Sequence, residues 1–301
     1  MVRARSSAIY ASNGCRDSEP ALIHRRRFLA SSAAAAVAAR AAAAPLRIGH
    51  RQASMGVNPG PGVFDLARRI PGLSGVELQV HFKGTTLWDR ETLLQYRAAS
   101  RRSGIKIPSL AGLWAKGVSI LRPEPAEDNL RKAIHSAEAL GAAVLLAAAF
   151  DKNCPDMQDE SFYGPVVSLL QKVAPAAEAA GVTVCLETSL SPAEDSRLID
   201  LVDRSAVKVY YDADNCERFG HAGQGLAGFA ALGKARLGQV HLKNENRLLE
   251  EPGRVDWAAA LKALKRIGYD GWMVFESSHT GAEQCIEATA KNIAFIRRHW
   301  A

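Results

Sequence analysis

Residues 237–247 read LGQVHLKNENR, and this stretch decides how the rest of the chain is interpreted. An apolar run typical of a buried strand ends at His241, and a polar segment with Lys243 and Arg247 follows it. A single histidine in this place is more often a buried structural residue than a ligand. However, three other apolar runs, each about one strand–helix unit apart, end in an acidic residue: Glu187, Asp212 and Glu276. If these strands are parallel, their carboxyl ends meet on one face, and we expect the four side chains to share a site.

The rest of the chain alternates short apolar runs with longer amphipathic ones. The apolar runs predict eight strands, near residues 46–50, 75–80, 105–110, 142–150, 182–187, 207–212, 237–241 and 272–276. A glycine follows four of the helical patterns, as expected at helix-to-strand turns: Gly104, Gly141, Gly181 and Gly268. No GxGxxG motif follows the first strand, which argues against a dinucleotide-binding fold. The pattern predicts a single-domain α/β protein of the (β/α)8 TIM-barrel class over residues 45–301.

The N-terminal segment differs in composition from the body. Residues 1–44 carry seven arginines and two acidic residues, so +5 of the formal charge of +7 lies there. The nearly neutral body argues against a nucleic-acid partner. Arg25 and Arg26 precede Phe28 and Leu29, and an alanine-rich run follows. This pattern predicts a twin-arginine signal peptide over residues 1–44, the twin-arginine export machinery as a partner, and a periplasmic location without a stable membrane anchor. The alternative is an alanine-rich leader without a function.

The side chains at the strand ends indicate a metal site. Three carboxylates and one imidazole form an oxygen-rich donor set that suits one divalent ion, Mn²⁺, Mg²⁺ or Co²⁺, with Zn²⁺ also possible. Three buried carboxylates without a cation would repel one another. The alternative is four unrelated polar residues. The five cysteines show no CxxC pair, so neither a zinc knuckle nor a disulfide framework is indicated.

Several motifs carry a family resemblance: VCLE at 184–187, YDADN at 211–215, VHLK at 240–243, VFE at 274–276, GVEL at 75–78, GRVDW at 253–257 and GYDGW at 268–272. Together they resemble the sugar phosphate isomerase/epimerase family, whose members are xylose isomerase-like TIM barrels. The resemblance implies that Glu187, Asp212, His241 and Glu276 bind one metal ion. It also implies that Glu187 and Glu276 are the catalytic acid and base, moving a proton through an enediolate of a small carbohydrate substrate. The implied activity is that of a sugar isomerase or epimerase.

Six further residues are candidate substrate-binding residues: Arg247, Asn215, Trp114, Glu77, His81 and Lys243. Arg247 resembles the family arginine that holds substrate oxygens. Asn215 stands where some relatives have a histidine, and it could instead cap the next helix. Trp114 could stack on a sugar ring or pack on the barrel rim. Glu77 lies in the second predicted strand and could orient groups at the strand mouth or form an internal ion pair. His81 follows that strand, and Lys243 could instead be a salt-bridge partner.

Two departures from the family pattern concern the mouth of the barrel. Many relatives have an aspartate at the place of Asn244, and the segment 249–253 replaces a glycine-rich loop. The choice of substrate therefore stays open. One alternative is a lyase that dehydrates an oxidised sugar or an inosose by β-elimination. A histidine-rich AP endonuclease and a non-catalytic sugar-binding barrel are the other two. The sequence does not predict the oligomeric state.

Overall fold

The structure is a computed structural model that describes residues 46–300. The signal peptide predicted over residues 1–44 lies outside these described residues. Within the described part, no helix is both long enough and apolar enough to cross a lipid bilayer.

Eight parallel strands close into a barrel, which confirms the predicted α/β TIM barrel. Their bounds are β1 Arg47–Arg51, β2 Gly75–Gln79, β5 Ser109–Ala111, β6 Val144–Ala149, β7 Thr183–Thr188, β8 Val207–Asp212, β9 Leu237–Leu242 and β10 Trp272–Phe275. Each strand pairs with its neighbours in chain order, and β10 closes the barrel by pairing with β1. A two-stranded antiparallel hairpin, β3 His81–Phe82 and β4 Thr85–Thr86, lies between β2 and β5.

Nine α-helices lie in the described residues, eight of them between strands and the last after β10. Their bounds are α1 Val63–Arg68, α2 Arg90–Ser103, α3 Pro123–Leu140, α4 Glu160–Ala179, α5 Pro192–Val202, α6 Ala213–Arg218, α7 Gly225–Arg236, α8 Trp257–Arg266 and α9 Ala282–Trp300. Local signals set several of these bounds. Ser191 and Glu194 form a capping box at the start of α5, and Gly104 and Gly141 end α2 and α3 in left-handed conformations.

The third barrel strand is shorter than the sequence pattern predicts. The apolar run 105–110 predicts a full strand, but the observed strand is Ser109–Ala111, and Lys106 contributes only an isolated bridge to Gly75. Pro108 explains part of the difference, since proline has no N–H to donate to a neighbouring strand. In contrast, Pro175 does not interrupt its helix, because α4 continues from Glu160 to Ala179 through it.

The alternation of side chains along each strand positions the site. In a strand, residues two apart share a face, so Cys185 and Glu187 point the same way, as do Gln239 and His241. Cys185 packs in a small cluster with four other strand residues: Ala111, Val144, Leu146 and Tyr210. The outward-facing residues of the strands pack against the helices in the main hydrophobic core. The inward-facing residues therefore fill the barrel lumen with this five-residue cluster below and with polar groups at the carboxyl ends.

Candidate active site

The four predicted ligand residues converge at the carboxyl end of the barrel. Glu187 lies in β7, Asp212 ends β8, His241 lies in β9, and Glu276 directly follows β10. The register aligns Asp212 with His241, and one oxygen or nitrogen atom of each residue lies within 4.8 Å of those of the others. Glu187, Asp212 and His241 are buried, whereas Glu276 is partly exposed towards the mouth.

His241 lies between three carboxylates. Its Nδ1 atom lies 3.2 Å from Glu187 Oε1 and 3.6 Å from Glu276 Oε2, and its Nε2 atom lies 3.2 Å from Glu77 Oε1. Burial alone would lower the pKa of His241, but the charges of Glu187 and Glu77 outweigh it and raise the pKa to about 9. Nδ1 is thus the nitrogen that faces the other predicted ligands, and Nε2 faces Glu77.

A buried polar network lies directly beneath His241. The Ser109 and Tyr210 hydroxyls donate hydrogen bonds to Glu77 Oε2 over 2.7 and 2.8 Å. Gln239 Nε2 donates to the same two hydroxyl oxygens, also over 2.7 and 2.8 Å. Burial of Glu77 would raise its pKa, but His241, Arg51 and Ser109 lower the pKa to about 2. The structure places Glu77 fully buried under His241, where it contacts the imidazole and does not line the cavity at the mouth.

Two cations lie among the carboxylates at the mouth. Lys243 Nζ lies 2.8 Å from Asp212 Oδ2 and 2.7 Å from Glu276 Oε2, and it donates a hydrogen bond to Asn215 Oδ1 over 2.9 Å. The Arg51 guanidinium, at the end of β1, forms an ion pair with Glu276. These contacts offset the negative charge of the carboxylates in a largely buried site.

Asn215 links two of the predicted ligands. Its backbone N–H donates to Asp212 Oδ1 over 3.0 Å, which caps α6, and its Nδ2 donates to Glu187 Oε1 over 2.9 Å. The cap of the helix is therefore Asp212, and Asn215 is the residue that fixes the Glu187 side chain.

The donor set fits a divalent metal ion. Three carboxylate groups and the Nδ1 atom of His241 converge within 4.8 Å, and the Glu77 carboxylate contacts the other ring nitrogen of His241. Carboxylates with an imidazole suit Mn²⁺, Mg²⁺ or Co²⁺, and the carboxylate beyond the imidazole is typical of metal-bound histidines.

The sequence profile of the xylose isomerase-like TIM barrel family matches residues 64–299. The chain belongs to this family. Among curated family relatives, the chain is 32% identical to an L-ribulose 3-epimerase from Mesorhizobium japonicum over 139 residues, which is 44% of this chain and 46% of that protein. The match therefore spans about half the length of this curated relative.

Solved structures show the same barrel. The D-psicose 3-epimerase from Clostridium cellulolyticum H10, solved with D-tagatose, is similar with a TM-score of 0.71 and 18% identity, over 85% of this chain and 99% of that chain. The 3-keto-D-glucoside 4-epimerase from E. coli gives a TM-score of 0.69 with 17% identity, over 84% of this chain and 99% of that one. At these identities, the similarity establishes the fold.

A cavity of about 630 Å³ lies at the mouth of the barrel, and Glu276 is the predicted metal ligand that lines it. This volume suits a small ligand such as a monosaccharide. Its lining residues come from several strand ends and loops: Arg51, Ala53, Ser54, Asp214, Arg218, Lys243, Glu245, Asn246, Arg254, Glu276 and Ser278. Sequence reasoning missed Arg51 and Arg254 as pocket residues. Two features of the sequence could have indicated these residues. Arg51 directly follows the predicted first strand, 46–50, and Arg254 belongs to the GRVDW motif.

Among the six candidate substrate-binding residues, Lys243 lines this cavity and the other five do not. The exposed Arg247 donates to the Pro252 carbonyl over 2.5 Å and so closes its own loop. Trp114 donates from its indole nitrogen to the Ala148 carbonyl over 2.7 Å. His81 lies in the hairpin and contacts Trp88 edge-on, with ring centroids 4.3 Å apart. Of the arginines near the mouth, Arg51, Arg218 and Arg254 line the cavity, and Arg247 does not.

The loop after β9 is folded around Asn244. This residue is buried, and its Nδ2 atom donates to the carbonyls of Leu248 and Glu251, each over 2.9 Å. A Cβ atom at Gly253 would overlap the Asn244 amide, so a glycine is required there. The departure from the family pattern at Asn244 thus gives the loop an internal anchor.

Proposed function

We propose that this protein is a metal-dependent epimerase or isomerase of a free sugar or sugar derivative. The observation that carries the proposal is the arrangement of the Glu187 and Glu276 carboxylates around Nδ1 of His241, with Glu276 lining the cavity at the mouth of the barrel. Membership of the family and the similarity to several sugar 3-epimerases support it. Two carboxylates on either side of a bound molecule can serve as its acid and base.

The two glutamates divide the proton transfer. One takes the proton from the carbon next to the substrate carbonyl, and the other, in its protonated form, returns a proton to the opposite face of that carbon. This exchange inverts the carbon and leaves the carbonyl unchanged; return to the neighbouring carbon would instead move the carbonyl. A metal ion held by Glu187, Asp212, His241 and Glu276 would stabilise negative charge on the substrate oxygens.

The neighbouring residues keep the two glutamates in place. Asn215 donates to Glu187, while Lys243 and Arg51 contact Glu276. Because each carboxylate has fixed partners, both are held in defined positions at the carboxyl end of the barrel. Preorganised groups of this kind lower the barrier without reorganisation at the moment of reaction.

The test is proton exchange with solvent. The purified protein, loaded with Mn²⁺, is incubated in D₂O with a panel of ketohexoses and ketopentoses, and deuterium incorporation and product configuration are read by NMR. We expect one deuterium at the inverted carbon and no loss of water from the sugar. Glu187→Gln should lower the exchange rate by about 10²–10⁴-fold, the usual contribution of a positioned acid or base. Thr188→Val is a matched control, since it alters the next residue of the same strand.

The competing activities predict different products. Release of water or another leaving group from the substrate would favour the lyase alternative over an epimerase. Binding of a sugar without any exchange would favour a non-catalytic barrel. Cleavage of abasic DNA would favour an AP endonuclease.

We also propose export through the twin-arginine route. The support is the arginine pair at 25 and 26, followed by Phe28 and an alanine-rich run. Replacement of both arginines by lysine should retain the protein in the cytoplasm, as measured by fractionation of expressing cells. A periplasmic location of that variant would contradict the proposal.

A further inference from the structure

A second group of metal-ligand side chains lies beside the barrel mouth. It consists of His50 in β1, His279 in the loop after β10, and Cys285 in the first turns of α9. One nitrogen or sulfur atom of each lies within 4.8 Å of those of the other two. None of these residues belongs to the four-ligand site or lines the cavity above it.

His50 offers an unused lone pair to this group. Its Nδ1 atom lies 3.1 Å from the Arg51 carbonyl oxygen, which can only accept, so Nδ1 carries the proton. Nε2 is therefore the unprotonated nitrogen, and it is buried without a hydrogen-bond partner. Burial and the neighbouring His279 lower the pKa of His50 to about 3, so the imidazole is neutral. A buried acceptor without a partner is rare in a folded protein and points to a missing ligand.

The other two side chains are held on short, well-fixed segments. The His279 backbone N–H donates to the Ser54 carbonyl over 2.9 Å. Gly56, with φ of +71°, lets this loop approach closely, because a Cβ atom there would lie 2.6 Å from the His279 carbonyl oxygen. Cys285 is fully buried, and its N–H donates to the Gly281 carbonyl over 3.1 Å at the start of α9.

We propose that His50, His279 and Cys285 bind one zinc ion. Two imidazole nitrogens and one thiolate form a borderline-soft donor set that favours Zn²⁺ over the oxygen-preferring Mg²⁺ and Mn²⁺. Tetrahedral zinc holds such ligand atoms ~3.3–3.7 Å apart, so the three side chains close by at most about 1.5 Å. His279 is half-buried, which leaves a path for the ion and a position for a water molecule.

Binding has a defined proton balance. His50 and His279 donate neutral nitrogens, and the Cys285 thiol loses its proton as the sulfur–zinc bond forms. Burial raises the pKa of this thiol to about 11 in the absence of metal, so one proton is released to solvent for each ion bound near neutral pH. The bound ion would join β1 to α9, next to Arg51, whose guanidinium reaches Glu276.

Cobalt(II) serves as the spectroscopic probe for this site. The metal-stripped full chain is titrated with Co²⁺ in the presence of excess Mg²⁺, which competes for the carboxylate site. A thiolate ligand gives an intense near-ultraviolet charge-transfer band, and the four-ligand site contains no thiolate. We expect the band to saturate at one Co²⁺ per chain and to disappear when Zn²⁺ is added.

Variants connect the band to the named residues. Cys285→Ser should abolish it, and His279→Ala should weaken Co²⁺ binding by at least about tenfold. Cys154→Ser, which removes a thiol outside the group, and Glu187→Gln, which disables the proposed acid or base, should both retain it. Circular dichroism confirms that each variant is folded, and His279→Ala keeps the test valid if the buried Cys285→Ser change disturbs folding.

Three results would overturn the proposal: no charge-transfer band at saturating Co²⁺, a band that persists in Cys285→Ser, or unchanged affinity in folded His279→Ala. The outcome is independent of the proposed epimerase activity. Loss of proton exchange in Glu187→Gln with an intact band would separate the two sites.

Discussion

The replacement Glu77→Gln tests whether the network under His241 sets the metal-binding nitrogen. The Ser109 and Tyr210 hydroxyls both accept from Gln239 and both donate to the same oxygen of Glu77. The new amide must therefore place its oxygen towards the two hydroxyls, because the opposite orientation would set its N–H donors against two O–H donors. Its NH₂ group then faces Nε2 of His241.

This orientation changes the tautomer of His241. Two N–H donors cannot share the 3.2 Å gap that separates Nε2 from Glu77, so Nε2 becomes the acceptor and the ring proton moves to Nδ1. A protonated Nδ1 has no lone pair for a metal. Loss of such an outer carboxylate typically costs 10–100-fold in metal affinity. We expect a loss at the upper part of this range, about 2–3 kcal/mol.

The assay is a Mn²⁺ titration by calorimetry or by competition with a chelator. Ser109→Ala is the control, because it removes one hydrogen bond to Glu77 and leaves the carboxylate and the tautomer in place; we expect its Mn²⁺ affinity to change less than about threefold. Native Mn²⁺ affinity in a folded Glu77→Gln protein would refute the role of Glu77. An equal loss in Ser109→Ala would also refute the tautomer explanation.

Three further predictions concern stability and charge. Burial raises the pKa of Asp195 from 3.8 to about 7, so the folded state binds this proton more tightly, and the contribution of Asp195 to stability falls as pH rises from about 4 to 7. Asp195→Asn should remove this fall and raise the free energy of unfolding at about pH 8 by on the order of 2 kcal/mol, but much less near pH 4, as measured by urea denaturation. Gly228→Ala would overlap the Tyr211 hydroxyl and should cost about 1–3 kcal/mol in the same assay, although alanine favours helices; a stabilised variant would contradict the packing described. Lys243→Met removes the cation that offsets the charge of Glu276, so Mn²⁺ should raise Tm more in this variant than in the wild type. An equal rise in both proteins would show that Lys243 does not offset this charge.

Most of the barrel was predictable because parallel strands buried on both faces leave a strong apolar signal. The predicted strand 207–212 has the observed bounds, and the predicted strand 182–187 differs by one residue at each end. The hairpin His81–Phe82 and Thr85–Thr86 was not predicted, since strands of two residues show no alternation. Short elements of this kind depend on contacts that only the fold supplies.

The predicted metal ligands converge because they lie on the strands, where alternation fixes the direction of each side chain. The loop residues behave differently. Arg247 and Arg254 follow the same strand, and both are basic, but Arg254 faces the cavity and Arg247 closes a turn. Their directions depend on backbone conformation and on partners such as Glu245, which the spacing of residues does not encode.

The anchoring of the loop after β9 has a consequence for engineering. Asn244 satisfies the carbonyls of Leu248 and Glu251 from within the segment, and Gly253 completes the turn. The segment therefore carries its own anchor, and it is joined to the barrel at two further points, where Leu249 donates to Asn292 of α9 and Asn246 accepts from Ser278. Residues 244–253 could be transplanted as one block into related barrels that supply partners at the places of Asn292 and Ser278, whereas exchange of Asn244 or Gly253 alone would disrupt the turn. Exchange of the whole loop would then change the cavity wall formed by Glu245 and Asn246, while the residues at the strand ends stay unaltered.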